Sequence, residues 1–188
     1  MSIVLETPRL LLRSFKDMDL LPFLQYRNDP RVYKYQGWKT PYLLEDATAF
    51  IANVKKLTPG IKGEWYQPAI ERCEAPEENN KIIGDVAFHI PNSNPRMAYI
   101  GYTLAHDAWG QGFAREAVQK LLDYLFKVLD LHRVVADCDV ENAPSIRLLE
   151  RLGFRREAHY IDSFWLDKKN AWGSEYLYAL LQREWLLR

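Results

Sequence analysis

The stretch AWGQGFAREA, residues 108–117, sets Gly110 and Gly112 directly ahead of a long apolar-periodic segment. Glycine reaches backbone angles closed to other residues, so the pair permits a tight strand-to-helix turn. It equally permits an anion cradle, because the first N–H groups of a helix lack intrahelical partners and lie at the positive end of its dipole. In a cradle the amides of residues 111–115 face the anion and Arg115 adds a mobile charge. Each charge-assisted hydrogen bond to a phosphate is worth ~1.5–3 kcal/mol. Two nucleotide fingerprints do not fit: GQGFAR lacks the third glycine of G-x-G-x-x-G, and G-x-x-x-x-G-K-[ST] does not occur. Spacing alone leaves turn and cradle both open.

The elements that would position such a site follow from the periodicities. A strand is expected near Arg9 to Ser14, bounded by Pro8. Asp17 and Asp19 are candidate N-caps for a helix through LLPFLQYRND that Pro30 must end. Leu44, Ala47, Phe50, Ile51 and Val54 recur at helical spacing and predict a second helix. EWYQPAIERC, KIIGDVAFHI and RMAYIGYTLA predict three antiparallel strands separated by EAPEENN and PNSNP, with Pro68 marking an edge or a bulge. From Phe113 to Leu129 one apolar face (Ala114, Ala117, Val118, Leu121, Leu122, Leu125, Val128, Leu129) predicts a helix roughly 25 Å long. HRVVADCDV predicts a strand, and Asn142, Pro144 and Gly153 punctuate a helix over APSIRLLERL. REAHYIDSFWL and SEYLYALLQREW predict two closing strands joined by DKKNAWG. The order β-α-α-β-β-β-α-β-α-β-β describes one α+β domain over residues 1–188 with a mixed sheet, since the β-α-β unit around the long helix requires parallel strands.

Composition narrows the function. The 188 residues suffice for one core, which makes a disulfide framework unnecessary. Lys plus Arg and Asp plus Glu both total 25, so the chain lacks the charge footprint of a nucleic-acid or anionic-membrane binder. Cys73 and Cys138 have no paired metal-binding spacing and read as reduced, packing thiols. Glu6, Pro8 and Arg9 interrupt any secretory apolar region, and no stretch approaches the ~20 apolar residues of a membrane span. A soluble cytoplasmic protein is expected, with no metal, nucleic acid or membrane among its partners.

The sequence resembles the GCN5-related N-acetyltransferases (GNAT), in particular the branch of ribosomal-protein alanine N-acetyltransferases. TPRLLLRSF, IGYTLAHDAWGQGFAREA and ENAPSIRLLERLGFRREA carry the resemblance in order along essentially the whole chain. It implies a mostly antiparallel mixed sheet with helices on both faces, and acetyl-coenzyme A as donor. The family's [Q/R]-x-x-G-x-[G/A] pyrophosphate loop corresponds to Trp109, Gly110, Gln111, Gly112, Phe113 and Ala114. Trp109 departs from the polar first position, which matters little for a loop acting through amides. The resemblance further implies that the strand AYIGYTL splays from HRVVADCDV and offers backbone near Tyr102, Thr103 and Leu104 to the pantetheine arm. The amine then attacks the thioester directly in a ternary complex.

The resemblance also assigns side chains. Asn142 aligns with a residue that hydrogen bonds the cofactor, and is equally readable as a plain N-cap. Ser145 aligns with a hydroxyl that protonates or holds the coenzyme A thiolate, or is an ordinary first-turn serine. The glutamate that many relatives place before IGY is missing, since Ala98 and Tyr99 stand there. Glu157 matches a glutamate considered as base in the alanine branch and is otherwise a solvated strand residue; Asp85 and Glu71 are lesser candidates. His89 and His132 read as structural. Tyr33, Tyr35, Trp38, Trp65 and Tyr66 are candidate acceptor-site walls, or alternatively core or dimer residues. The acceptor is an amine on a peptide N-terminus or a small molecule. An α-amine, with pKa near 7.7–8.0 against about 10.4 for lysine, asks less of a weak base by roughly 3.5 kcal/mol. A non-catalytic acyl-coenzyme A sensor is the alternative reading, and a homodimer stays open.

Overall fold

The computed structural model describes residues 3–73, 81–166 and 170–187. The single opening strand expected from the sequence is a hairpin: β1 (Val4–Glu6) and β2 (Leu10–Arg13) pair antiparallel around Pro8. α1 (Leu20–Arg27) follows a turn at Asp17–Asp19, but neither aspartate caps it through its side chain. The Asp19 carboxylate is instead taken by the Arg13 guanidinium and the Lys16 amide. Pro30, expected only to end this helix, also begins α2 (Pro30–Tyr33). A proline at the first helical position sacrifices no hydrogen bond, and Asp29 accepts from the Arg31 amide. α3 (Leu44–Val54) lies where the spacing places it and buries Ala47 and Ile51.

Pro68 splits the next predicted strand into β3 (Trp65–Tyr66) and β4 (Ala69–Arg72), both paired with β5 (Lys81–His89). The EAPEENN turn lies outside the described residues. β6 (Met97–Leu104) returns along β5, and α4 (Phe113–Asp123) begins at Gly112. α4 does not run on regularly to Leu129: residues Tyr124–Val128 form a π-helical turn, in which the Leu129 N–H reaches the Tyr124 carbonyl five residues back at 3.0 Å. The wider turn rotates Val128 off the apolar face, leaving it 68% exposed, while Leu129 still packs on the core.

β7 (Arg133–Asp139), α5 (Ala143–Arg151), β8 (Arg155–Leu166) and β9 (Ala171–Leu181) complete the sheet. Part of DKKNAWG lies outside the described residues. The last predicted strand stops at Leu181, whose amide donates to the Glu184 carboxylate and opens α6 (Gln182–Leu186).

The strands run in the order β1-β2-β4-β5-β6-β7-β9-β8, with β3 beside β5. Among the named strands of the described residues β6 and β7 form the one parallel pair, as the crossover through α4 requires. Strand alternation sends Ala98, Ile100, Val134, Ala136 and Tyr178 toward one core that includes residues of α4 and α5, and Ala69 and Ile82 toward a second built on α1 and α3. Cys138 is buried as expected, whereas Cys73 is exposed at the end of β4 and packs no core.

Candidate active site

β6 and β7 hold their parallel register only from Met97 opposite Arg133 to Tyr99 opposite Val135, and then part. β6 stays paired to β5 through Leu104, so its other edge, including Tyr102, Thr103 and Leu104, faces the gap. The gap opens into a cavity of about 680 Å³ between residues 100–102 of β6 and 136–139 of β7, closed by residues 34–40 after α2 and by the ends of β8 and β9.

Beyond Leu104 the chain turns through the pyrophosphate-loop candidates. The Trp109 indole N–H donates to the Leu104 carbonyl at 2.9 Å, and the Gln111 side chain donates to the Asp107 carbonyl at 2.7 Å. These two bonds fold the loop back on the strand. Gly110 and Gly112 both take left-handed angles, φ 75° and 84°, which a side chain strains. No side chain caps α4, whose first amides, at Phe113, Ala114 and Arg115, point out of the helix end, with Arg115 exposed beside them. The free backbone of this stretch therefore serves both readings at once: it is a tight turn and it is a cradle suited to an anion.

Arg9, from the β1–β2 turn, braces the cradle. Its guanidinium donates to the Gln111 carbonyl at 3.0 Å, pairs with Glu116 at 2.6 Å and lies 4.5 Å from the centre of the Phe113 ring. Partial burial of Glu116 works against its charge, yet hydrogen bonds from Thr7 and Arg9 hold its carboxyl below the usual range. Arg9 was not among the sequence candidates because its partner lies about a hundred residues away; the sequence signal was only its place in TPRLLLRSF. Arg9→Ala should raise the coenzyme A dissociation constant about threefold to tenfold by releasing the loop, less than the loss of one charged hydrogen bond to the ligand because Arg9 acts through the loop backbone. Isothermal titration reads this directly.

On the α5 side of the gap, Asn142 caps α5: its side chain accepts from the Ser145 amide at 3.3 Å, while Asn142 itself lines the cavity. The Ser145 hydroxyl shares a 2.6 Å hydrogen bond with the Tyr102 hydroxyl, so Tyr102 contributes a side chain as well as backbone. Burial pushes the Tyr102 phenol well above its ordinary value, although the Ser145 bond pulls the other way. Burial likewise pushes the Cys138 thiol, on the same face, to about 11. Cys138 is thus a neutral thiol at pH 7 rather than a nucleophile.

The acids separate sharply. Glu71 and Asp85, considered as bases, are buried and already engaged: Glu71 by Arg13, and Asp85 by the Tyr26 hydroxyl, by Gln67 at 2.7 Å and by Arg27 at 3.6 Å. Glu157 is not brought to the cavity lining. Arg133 and Arg155 clamp its carboxylate, and their hydrogen bonds hold it below the usual range. Asp137, which the sequence reading passed over, does line the cavity. Asp137 is exposed at the cavity, yet partial desolvation there, with Glu175 second, raises its carboxyl to about 6. The available signal was the alternation Ala136-Asp137-Cys138-Asp139, which puts two carboxylates on one face of an otherwise apolar strand.

Of the five aromatic wall candidates, Tyr35 and Trp38 line the cavity. Trp38 is fixed by its indole N–H on the Arg27 carbonyl at 3.1 Å and by the Arg27 guanidinium 3.9 Å from its ring centre. Tyr33 ends α2 outside the lining, Tyr66 is a core residue, and Trp65 stacks on His89 at 5.3 Å. Phe164 and Trp165 of β8, which the sequence reading did not single out, take places on the wall instead.

Similarity to known proteins agrees with this geometry. The acetyltransferase (GNAT) domain family matches residues 9–155. The uncharacterized N-acetyltransferase YnaD of Bacillus subtilis is 35% identical over 183 residues, 96% of this chain and 98% of that protein. The [ribosomal protein uS5]-alanine N-acetyltransferase of Escherichia coli is 30% identical over 109 residues, 57% of this chain and 55% of that protein. The structure of spermidine N-acetyltransferase from Vibrio cholerae in complex with CoA and spermine superposes with a TM-score of 0.79 at 22% identity, covering 96% of this chain and 99% of that one. A strand pair that parts beside an amide cradle, in a chain matched by that family over most of its length, makes this protein a member of the GNAT acetyltransferase family and an acetyl-coenzyme A-dependent N-acetyltransferase.

Proposed function

We propose that the enzyme acetylates a primary amine, on a peptide N-terminus or a small molecule, by direct attack within a ternary complex. The observation that carries this reading is the gap between β6 and β7, with the Tyr102–Ser145 hydroxyl pair on one side and carboxylates on the other. Acetyl-coenzyme A supplies a thioester carbonyl ready for attack. In this reading the amides of residues 111–115 and Arg115 hold its pyrophosphate. The free edge of β6 at residues 102–104 aligns the pantetheine arm, and the Asn142 amide group addresses it from the start of α5. Ser145, backed by Tyr102, supplies the proton that the departing thiolate needs. A neutral Cys138 fits direct attack better than an acyl-cysteine route. A cytoplasmic location belongs to the same reading.

The test is a thiol-release assay over peptides with free N-termini, polyamines and aminoglycosides. Turnover on at least one amine class is expected. Coenzyme A binding without turnover on any amine supports a non-catalytic sensor instead. Ser145→Ala should lower kcat about tenfold or more while changing the coenzyme A dissociation constant less than about threefold. Equal rates remove Ser145 from the proton-donor role.

A further inference from the structure

We propose that Asp137 accepts the proton from the acceptor amine, with Glu175, which lines the same cavity, as a positioning residue; this rests on the amine-transfer reading above. The placement follows from strand geometry. Successive side chains of β7 point to opposite faces, so Asp137 and Asp139 lie on one face and Ala136 and Cys138 on the other. Ala136, Cys138 and Tyr178 belong to the core that also holds residues of α4 and α5, and Tyr102 packs against that core. Hence the proton donors Ser145 and Tyr102 stand on the α5 side of the gap. Asp137 stands on the side closed by residues 34–40, across the opening through which the two substrates would meet.

Elimination points the same way. Glu71, Asp85 and Glu157 are held in ion pairs away from the lining. Asp139 does line the cavity, but its carboxylate already accepts from the Glu141 amide at 2.7 Å. Among the described residues no hydrogen bond or ion pair holds the Asp137 carboxylate, which leaves its lone pairs to an incoming N–H. The titratable and charged groups that share the cavity with it are Glu175 on β9, Asp139 on its own strand, and Lys34, Tyr35 and Lys39 after α2, with Tyr160 of β8 paired to Glu175 in the sheet. Asp139 opposes Glu175 directly in the β7–β9 register. Of these charges Glu175 acts on Asp137, and its negative charge favours the protonated carboxyl.

The proton balance closes. Asp137 takes one proton from the attacking nitrogen as the N–C bond forms and the C–S bond breaks. Ser145, replenished through Tyr102, gives one to the sulfur, and solvent returns the Asp137 proton to the α5 side between turnovers. A carboxylate near 6 lies about two powers of ten below an α-amine and more than four below lysine, so the wall favours an amine of low basicity.

The test uses the full-length enzyme and its best amine from the panel. The kcat/KM profile is expected to rise with pH through a midpoint of about 6, where Asp137 of the free enzyme loses its proton. Carbon-13 NMR of the Asp137 carboxyl in the amine-free protein should titrate at the same midpoint. D137N should lower kcat about 100-fold and abolish that limb, with the coenzyme A dissociation constant by calorimetry changed less than about twofold. E175Q should move the midpoint to lower pH. A limb that persists in D137N, a D137N rate equal to wild type, or a carboxyl titrating near 4 overturns the assignment. An unmoved midpoint in E175Q overturns the role of Glu175. Absence of turnover by the wild type on every amine, with coenzyme A bound, overturns the amine-transfer reading and this inference with it. Wild-type turnover with D137N unimpaired overturns this inference alone.

Discussion

Gly112→Asp is expected to raise the dissociation constant for coenzyme A at least about tenfold, a loss of about 1.4 kcal/mol or more. Three effects act in the same direction. Gly112 sits at φ 84°, so any side chain strains the backbone at the first residue of the cradle. A Cβ there meets the Arg9 guanidinium at 3.4 Å and disturbs the bond from Arg9 to the Gln111 carbonyl. The added carboxylate then stands at the α4 N-terminus, where it competes with the pyrophosphate for the same amides. Gly112→Ala separates the contributions, because it retains the strain and the contact without the charge. It should fall between wild type and Gly112→Asp. Calorimetry with coenzyme A reads both, and an unchanged constant for Gly112→Asp overturns the pyrophosphate assignment.

The cradle was legible because its signal is local: two glycines, a following apolar period of 3.6 and a preceding strand all lie within about thirty residues. The β6-α4-β7 crossover was legible for the same reason, and from it the single parallel pair and the gap. Ser145 and Asn142 were found through a motif whose spacing is that of one helical turn. Arg9, the Tyr102 hydroxyl and Asp137 were not found, since each acquires its role from a partner brought in by the sheet. Glu157 shows the converse. Its local sequence suggested a base, and only the pairing of β8 with β9 and β9 with β7 reveals that Arg133, more than twenty residues earlier, takes its carboxylate. Val128 illustrates a third limit, because a helical period does not announce that one turn will widen to five residues. Secondary structure read from pattern thus carried the fold and placed the loop proposed to hold the donor. The charges that complete the acceptor side depend on register, which no local pattern states.

The largest stability effect is expected at Arg13. Its side chain is 6% exposed and lies between Asp19 and Glu71, themselves 3% and 6% exposed. Two bonds of 2.7 and 3.0 Å hold Asp19, a third contact holds Glu71, and the Ser14 carbonyl accepts at 3.0 Å. This network ties β2 to β4 and to the turn that starts α1. Arg13→Ala takes the guanidinium from two carboxylates in a buried site, while Lys16 at 3.7 Å from Glu71 and the Lys16 amide on Asp19 compensate in part. Removing one partner of a buried pair costs about 3–5 kcal/mol, which for a chain of this size lowers Tm by roughly 6–20 °C. Calorimetric unfolding of wild type and variant at pH 7 reads the loss, and a Tm lowered by less than about 3 °C overturns the role of the network. The triple replacement Arg13→Met, Asp19→Leu and Glu71→Met is the complementary test. Exchanging the whole network for apolar groups removes the desolvation cost together with the attraction, and should recover most of the lost stability.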